Sequence, residues 1–533
     1  MMLVWIWCGC ALVALVLYLR NVYSYFSRRG VKNIPTVPVI GNIANALLKK
    51  EHLGKIMEGT YTTFPGEKFV GHFEFLSPAV VLRDLELVKK VGVKDFEAFQ
   101  NHSNVAVGND EDFIIRSLIS LRGEWKDMRG TLSPAFTSSK IRLMVPFMVE
   151  VGDQMMRSLQ EKIRNSKSKY MDVDVKDLTT RYANDVIASC AFGCKVNSHK
   201  EEDNEFYTRG KETVSLGFYK LFISILHKSF PVLKNVSMNI FKGEIPLNID
   251  FFRNLVLGSM KEREAKNINR PDMIHLLMQA KKGSLTHDAK SENDEDAGFA
   301  TTEESDIGKK QVNREWSDID LVAQAVLFFF AGFDTVSTCM SFLLHELAVN
   351  PDVQEKLVRE IQENDEKNGG KFDYNSVQKM TYLDMVVSEG LRLWPPVLFT
   401  DRYSNNDFNL GRPNDTARED FIIRKGTTVY VPILALHRDP QYFPDPEKFD
   451  PERFSEQNKH KINPYSYLPF GFGPRNCIGS RFALCEVKVM VYQLLRSMEL
   501  SPAAKTQIPV QHDPSTFSVK MLGGHWVRFR TRT

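Results

Sequence analysis

The sequence lacks paired cysteines. Its seven cysteines, Cys8, Cys10, Cys190, Cys194, Cys339, Cys477 and Cys485, form no CxxC. That argues against a zinc ribbon and a thioredoxin-like site, and sparse, unpaired usage fits a reducing compartment. An excess of either charge is also missing. Lys and Arg number 69 against 66 Asp and Glu, so no nucleic acid is expected as a partner. No internal repeat is found. Gly471-x-Gly473 opens like a dinucleotide fingerprint but carries Asn476 where the last glycine belongs, so the fingerprint fails. What remains is ordinary globular composition, 43% hydrophobic and 25% charged over 533 residues. Collagen-like, disordered and disulfide-scaffold classes are excluded.

Charge is absent from Met1 to Leu19, which is rich in Leu, Val, Ile and Trp. As a helix this run spans about 29 Å, close to the ~30 Å hydrocarbon core. Arg20, Arg28, Arg29 and Lys32 follow, and the first acidic residue is Glu51. The positive flank keeps the following chain in the cytosol. No basic segment precedes the run and no small-x-small cleavage site follows it, so residues 1–20 read as an uncleaved membrane anchor. Three N-x-S/T sequons, at Asn101, Asn235 and Asn414, then never meet the glycosylation machinery. Pro35 and Pro38 make 21–41 a basic, stiff hinge, and 42–533 is the catalytic body.

Residues 282–310 are Asp-, Glu-, Ser-, Thr- and Gly-rich and read as a solvated, mobile loop. Ser317 and Asp320 then form a capping-box start. From Asp318 to Val349 the pattern is helical without proline, and Asn350-Pro351 ends it, the Asn capping the next helix. Phe421 to Val431 reads as a hairpin turning at Lys425-Gly426. The apolar stretch Phe218–Leu226 is too short to span a bilayer; it reads as a core helix or a lipid-dipping surface. The body is mainly α with small β-sheets.

The most informative stretch is Phe470-Gly-Phe-Gly-Pro-Arg-Asn-Cys477-Ile-Gly479. Its glycines let the backbone turn tightly against something flat and large. Cys477 precedes an apolar helical run, and a helix amino terminus favours thiolate over thiol, with Arg475 adding positive charge. A thiolate on such a loop suits a metal ligand, and an iron porphyrin is the flat partner. His437 tempts as a ligand but has no second His or Cys at ligand spacing, so it reads as a packing residue.

These residues resemble the haem-binding signature of the cytochrome P450 superfamily, F-x-x-G-x-R-x-C-x-G, at Phe470, Gly473, Arg475, Cys477 and Gly479. Glu389-Gly-Leu-Arg392 is similar to its E-x-x-R motif, and Pro451-Glu-Arg453-Phe to its P-E-R-F motif. Ala331-Gly-Phe-Asp334-Thr335 resembles its oxygen-activation motif, and Trp125-x-x-x-Arg129 its propionate-binding pair. The anchor resembles the microsomal class, and the texture around 328–337 resembles insect detoxification-type members.

The resemblance implies haem b, with Cys477 as its axial thiolate. It implies propionate contacts from Arg475, Arg129, Trp125 and Arg402, with Phe470 in the same loop. Asp334 and Thr335 would relay protons to dioxygen, although Thr335 can equally back-bond to the Ala331 carbonyl. Glu389, Arg392 and Arg453 would be a structural set. Leu118, Phe330, Ala331, Val397 and Phe517 would line a substrate cavity. The expected activity is reductase-dependent monooxygenation of lipophilic small molecules. NADPH-cytochrome P450 reductase is the expected partner, with a b-type cytochrome as a second donor and docking on Lys126, Arg129, Lys140 and Arg142. The expected address is the endoplasmic reticulum membrane, catalytic domain to the cytosol. Two other readings stand beside this one: a reductase-independent haem-thiolate isomerase or dehydratase, and a non-catalytic haem sensor.

Overall fold

The computed structural model describes residues 1–103, 113–214, 230, 249–283, 285, 298–302, 304–310, 315–516 and 518–532. The segment 218–229, the Asn235 sequon and Phe517 therefore lie outside the described residues. The most apolar 18-residue window of helix α1, Met2–Tyr23, has a mean hydropathy of 2.4, and none of its side chains is fully buried. It runs three residues past the expected boundary at residue 20. The expected hinge also packs. Tyr23 donates from its hydroxyl to Phe75 O at 3.1 Å, and Phe26 is fully buried edge-on against Phe73.

The core is built around α5, Asp318–Val349. Both halves of its capping box form: Ser317 Oγ accepts Asp320 N–H at 3.2 Å, and Ser317 N–H donates to Asp320 Oδ2 at 3.1 Å. Asn350 does not cap the next helix as expected. Its Nδ2 turns back to Glu346 O at 2.9 Å and closes α5 instead. Although α5 is apolar enough to cross a bilayer, half of its most apolar window is buried, as suits a core helix. It packs on α4, Val175–Cys190, on α6, Thr381–Leu393, and on α7, Ser480–Ser497; α7 also packs on α3, Ser138–Asn165. Gly332 lets α4 approach, because a Cβ there would sit 3.0 Å from Ile187 Cδ1. The helix runs through Gly332 as one element.

A four-stranded sheet runs in the order β1-β2-β7-β4, with β1 Phe69–Glu74, β2 Ser77–Leu82, β4 Thr400–Tyr403 and β7 Thr428–Val431. Strands β3 (Tyr170–Asp174), β9 (Trp526–Thr531) and β8 (Met498–Pro502) form an antiparallel sheet. The expected 421–431 hairpin is only half right. The chain turns at Gly426, but Ile422–Ile423 (β6) pairs with Phe408–Asn409 (β5), while β7 pairs with β2 and β4. A local turn signal fixes where the chain reverses, not which strand it meets.

The end of the expected solvated loop is also packed. Phe299 lies edge-on to Phe454, with ring centroids 5.1 Å apart, and Ala300 is buried.

Candidate active site

The 470–479 loop is folded by its own backbone. Cys477 N–H donates to Phe470 O at 2.8 Å, Gly471 N–H to Leu468 O at 3.1 Å and Asn476 N–H to Gly473 O at 3.0 Å. Gly471 and Gly473 hold φ of 72° and 65°, which disfavours side chains. A Cβ on Gly473 would also lie 2.1 Å from Gly92 O. Helix α7 starts after Gly479, so Cys477 lies just ahead of a helix amino terminus, as expected. The electrostatics differ from expectation. Burial raises the Cys477 thiol above its ordinary value, against lowering contributions from the Gly479 N–H and Arg129. The residue is nonetheless accessible. In the chain alone, desolvation outweighs the helix terminus.

Four buried donors gather beside this loop. Trp125, on α2 (Trp125–Leu132), is fully buried, and among the described residues its Nε1 has no hydrogen-bond partner. Arg475 stacks its guanidinium 3.9 Å above that indole and donates to the carbonyls of Gln100, Leu118 and Leu121 at 2.8–3.1 Å. Arg402, on β4, is 1% exposed and donates to Thr400 Oγ1, Asp401 O and Phe472 O, while its Nε finds no acceptor among the described residues. Burial first, and then mutual repulsion with Arg402 and Arg129, lowers Arg475 to about 9. Burial lowers Arg402 to about 10. Arg129 is 3% exposed and spans Glu304 Oε1 at 2.8 Å and Asn476 O at 2.7 Å. Its burial removes it from the expected docking face. Lys126 of that face pairs with Glu97 at 3.0 Å.

Comparison with known proteins decides what this arrangement is. The family profile described as Cytochrome P450 matches residues 32–526. Cytochrome P450 9e2 of Blattella germanica is 42% identical, covering 99% of this chain and 98% of that protein. Probable cytochrome P450 9f2 and cytochrome P450 9c1 of Drosophila melanogaster are each 39% identical, over 96% and 98% of this chain and 95% and 98% of theirs.

The chain belongs to the cytochrome P450 family.

It is thus a P450 monooxygenase of the haem-thiolate iron class, similar to insect relatives. The residues present fit that group. A haem brings two carboxylates to an interior that already holds an indole N–H and a guanidinium Nε with no partner among the described residues, beside an accessible cysteine. Buried donors of this kind require acceptors.

On the long helix of this P450, Leu327, Phe328, Phe330, Ala331, Asp334 and Thr335 are less than fully buried within an otherwise buried stretch. Spacings of three and four residues align Leu327, Phe328, Ala331, Asp334 and Thr335 on one face. Phe330 and Ala331 thus fall on the open stretch, whereas Val397 is 45% exposed and Leu118 is 8% exposed. Leu118 binds chiefly through its backbone, its N–H donating to Gln324 Oε1 at 2.8 Å. Thr335 back-bonds from Oγ1 to Ala331 O, the alternative foreseen from sequence. Asp334 is tethered rather than free. Lys176 Nζ lies 3.1 Å from Oδ1 and Ser518 Oγ 3.0 Å from Oδ2. Burial pushes the Asp334 carboxyl up, but Lys176 with Ser518 holds it below its ordinary value overall.

Glu389, Arg392 and Arg453 come together. Arg392 grips Glu389 with two bonds of 2.7 and 2.8 Å at zero exposure, and Arg453 Nε lies 3.5 Å from the same carboxylate. Sequence reasoning missed what joins this set to the cysteine loop. His437 Nδ1 faces Arg392 O at 3.1 Å, and its Nε2 accepts Leu468 N–H at 2.8 Å. Burial holds the ring neutral, lowered to about 3. The only sequence signal was a histidine with no partner at ligand spacing. Lys176 and Glu304 were missed as well; neither lies in a motif.

Proposed function

We propose that this P450 carries haem on Cys477 and oxidises lipophilic small molecules with electrons passed from NADPH by a cytochrome P450 reductase, with a b-type cytochrome as a second donor. The observation that carries the reading is the convergence of an accessible, desolvated cysteine with buried donors lacking acceptors. Trp125 Nε1 and Arg402 would hold the propionates, with Arg475 and Arg129 supplying positive charge behind them. Bound in this way, haem supplies thiolate-assisted cleavage of the O–O bond. The protein's part is positioning and protons. Lys176 and Ser518 keep Asp334 ionised and oriented at the open stretch of α5, where its carboxylate can take up a solvent proton and pass it on. The Thr335 hydroxyl, one residue on, is the adjoining donor.

No flavin or nicotinamide fingerprint was found in the sequence, which supports an external electron source. The apolar helix α1 and its basic flank support an endoplasmic reticulum address with the body in the cytosol. Two of the sequon asparagines are half-buried and hydrogen-bonded: Asn101 Nδ2 donates to Asn405 Oδ1 at 3.1 Å, and Asn414 Nδ2 to Glu67 at 3.0 Å.

The test is expression in microsomes with reductase, followed by reduction under carbon monoxide. The wild type should show the Soret band of sulfur ligation and NADPH-dependent oxidation of lipophilic compounds. Cys477→Ser should lose both while keeping its helical circular dichroism. A sulfur-ligated band surviving in Cys477→Ser would overturn the reading. Turnover without NADPH would favour the isomerase alternative, and glycan on any sequon would reverse the topology.

A further inference from the structure

Residues 298–302 and 304–310 lie under the cysteine loop, and their contacts bracket Cys477. On one side, Glu304 takes Arg129 with both carboxylate oxygens, Nε–Oε1 at 2.8 Å and Nη2–Oε2 at 3.1 Å. The same guanidinium holds Asn476 by its backbone oxygen at 2.7 Å and its Oδ1 at 2.6 Å. Asn476 precedes Cys477. On the other side, Thr302 Oγ1 lies 3.2 Å from Oγ of Ser480, the first residue of α7. The ends are pinned by aromatics. Phe299 packs on Phe454 and Tyr467, and Trp316 Nε1 donates to Thr131 Oγ1 at 3.1 Å. A groove of about 1050 Å³ separates this segment from the 469–476 loop, so the two surfaces meet through these polar contacts rather than a packed interface.

We propose that Glu304 is a positioning residue for electron transfer: its carboxylate fixes Arg129 against Asn476 and sets a compensating negative charge behind the Cys477 sulfur. The inference rests on Cys477 being the iron ligand. Two of the cluster's buried arginines, Arg402 and Arg475, make no ion pair with a described carboxylate, whereas Arg129 has Glu304. Without Glu304, Arg129 too would lack an ion pair beside the cysteine loop. Taking one electron from the external donor converts ferric to ferrous iron and adds one unit of negative charge at the site. A nearby carboxylate opposes that charge and a bare guanidinium favours it. Arg129 is buried and Glu304 half-buried, so salt screens the effect only in part.

The test compares the one-electron reduction potential and the reduced carbon monoxide spectrum of wild-type, Glu304→Gln and Glu304→Asp holoenzymes. Glu304→Gln should shift the reduction equilibrium about tenfold toward ferrous, ~59 mV upward. Glu304→Asp, which keeps the charge, should stay near wild type. An unchanged potential in Glu304→Gln with the sulfur-ligated band intact overturns the inference. If Glu304→Gln fails to load haem, rescue by Glu304→Asp supports the charge role, and failure of both variants overturns it in favour of packing. A wild type lacking the sulfur-ligated band would be a separate failure, that of Cys477 as ligand.

Discussion

Two groups of buried arginines sit within this P450, and they are built on opposite terms. Arg392 and Arg453 share the carboxylate of Glu389, which also accepts Asp450 N–H at 2.9 Å. Arg402 and Arg475 bond only carbonyl and hydroxyl oxygens among the described residues, and Trp125 beside them offers an N–H to nothing. The first set holds its anion within the chain, Glu389 serving both guanidiniums. The second is cationic and under-satisfied, at a desolvation cost that shows in the lowered Arg475 and Arg402 values. Burial alone therefore does not separate a structural arginine from a binding one. What separates them is whether the chain supplies the anion.

The largest expected effect breaks the ion-paired set. Arg392→Ala leaves Glu389 buried without its main cation and should cost about 3–5 kcal/mol, read as a fall in urea midpoint and in soluble yield. If the variant keeps wild-type stability, the distinction between the two sets collapses. A smaller effect tests a buried acid with hydrogen bonds but no ion pair. Glu346 accepts Trp394 Nε1–H at 2.8 Å, and burial raises it from 4.5 to about 7. The folded state thus binds its proton more tightly than the unfolded state. The stability this provides is complete below pH 4.5 and is lost as pH rises to about 7. The decline should be about 3 kcal/mol and should be missing from Glu346→Gln in denaturation series across that window.

The smallest effect sharpens the comparison. Trp125→Phe keeps the packing and deletes the partnerless N–H. It should leave the chain's own stability unchanged while haem dissociates roughly tenfold faster, about 1.4 kcal/mol of a buried hydrogen bond, read by transfer to an apo-globin acceptor. Wild-type haem retention would remove Trp125 from the propionate site.

Much of this was legible in advance where the signal is local. The bounds of α5 follow from a capping box, an unbroken helical pattern and an Asn-Pro stop, and all three are short-range. The cysteine loop was legible because its glycines and arginine recur at fixed spacing. What escaped were partners distant in sequence. Glu304 lies 175 residues from Arg129, in a stretch whose composition reads as solvated. Lys176 lies 158 residues from Asp334. Strand β7 turned away from its sequence neighbour because β2 offered a buried edge.

The sequence by itself determined the kind of protein: an apolar leading helix, a long core helix and a cysteine on a glycine-bent loop are written in neighbouring residues. Tertiary structure alone decided which charges meet. Backbone preferences act over a few residues, whereas the partner of a buried charge is whatever folding brings within about 3 Å of it, and composition carries no record of that distance.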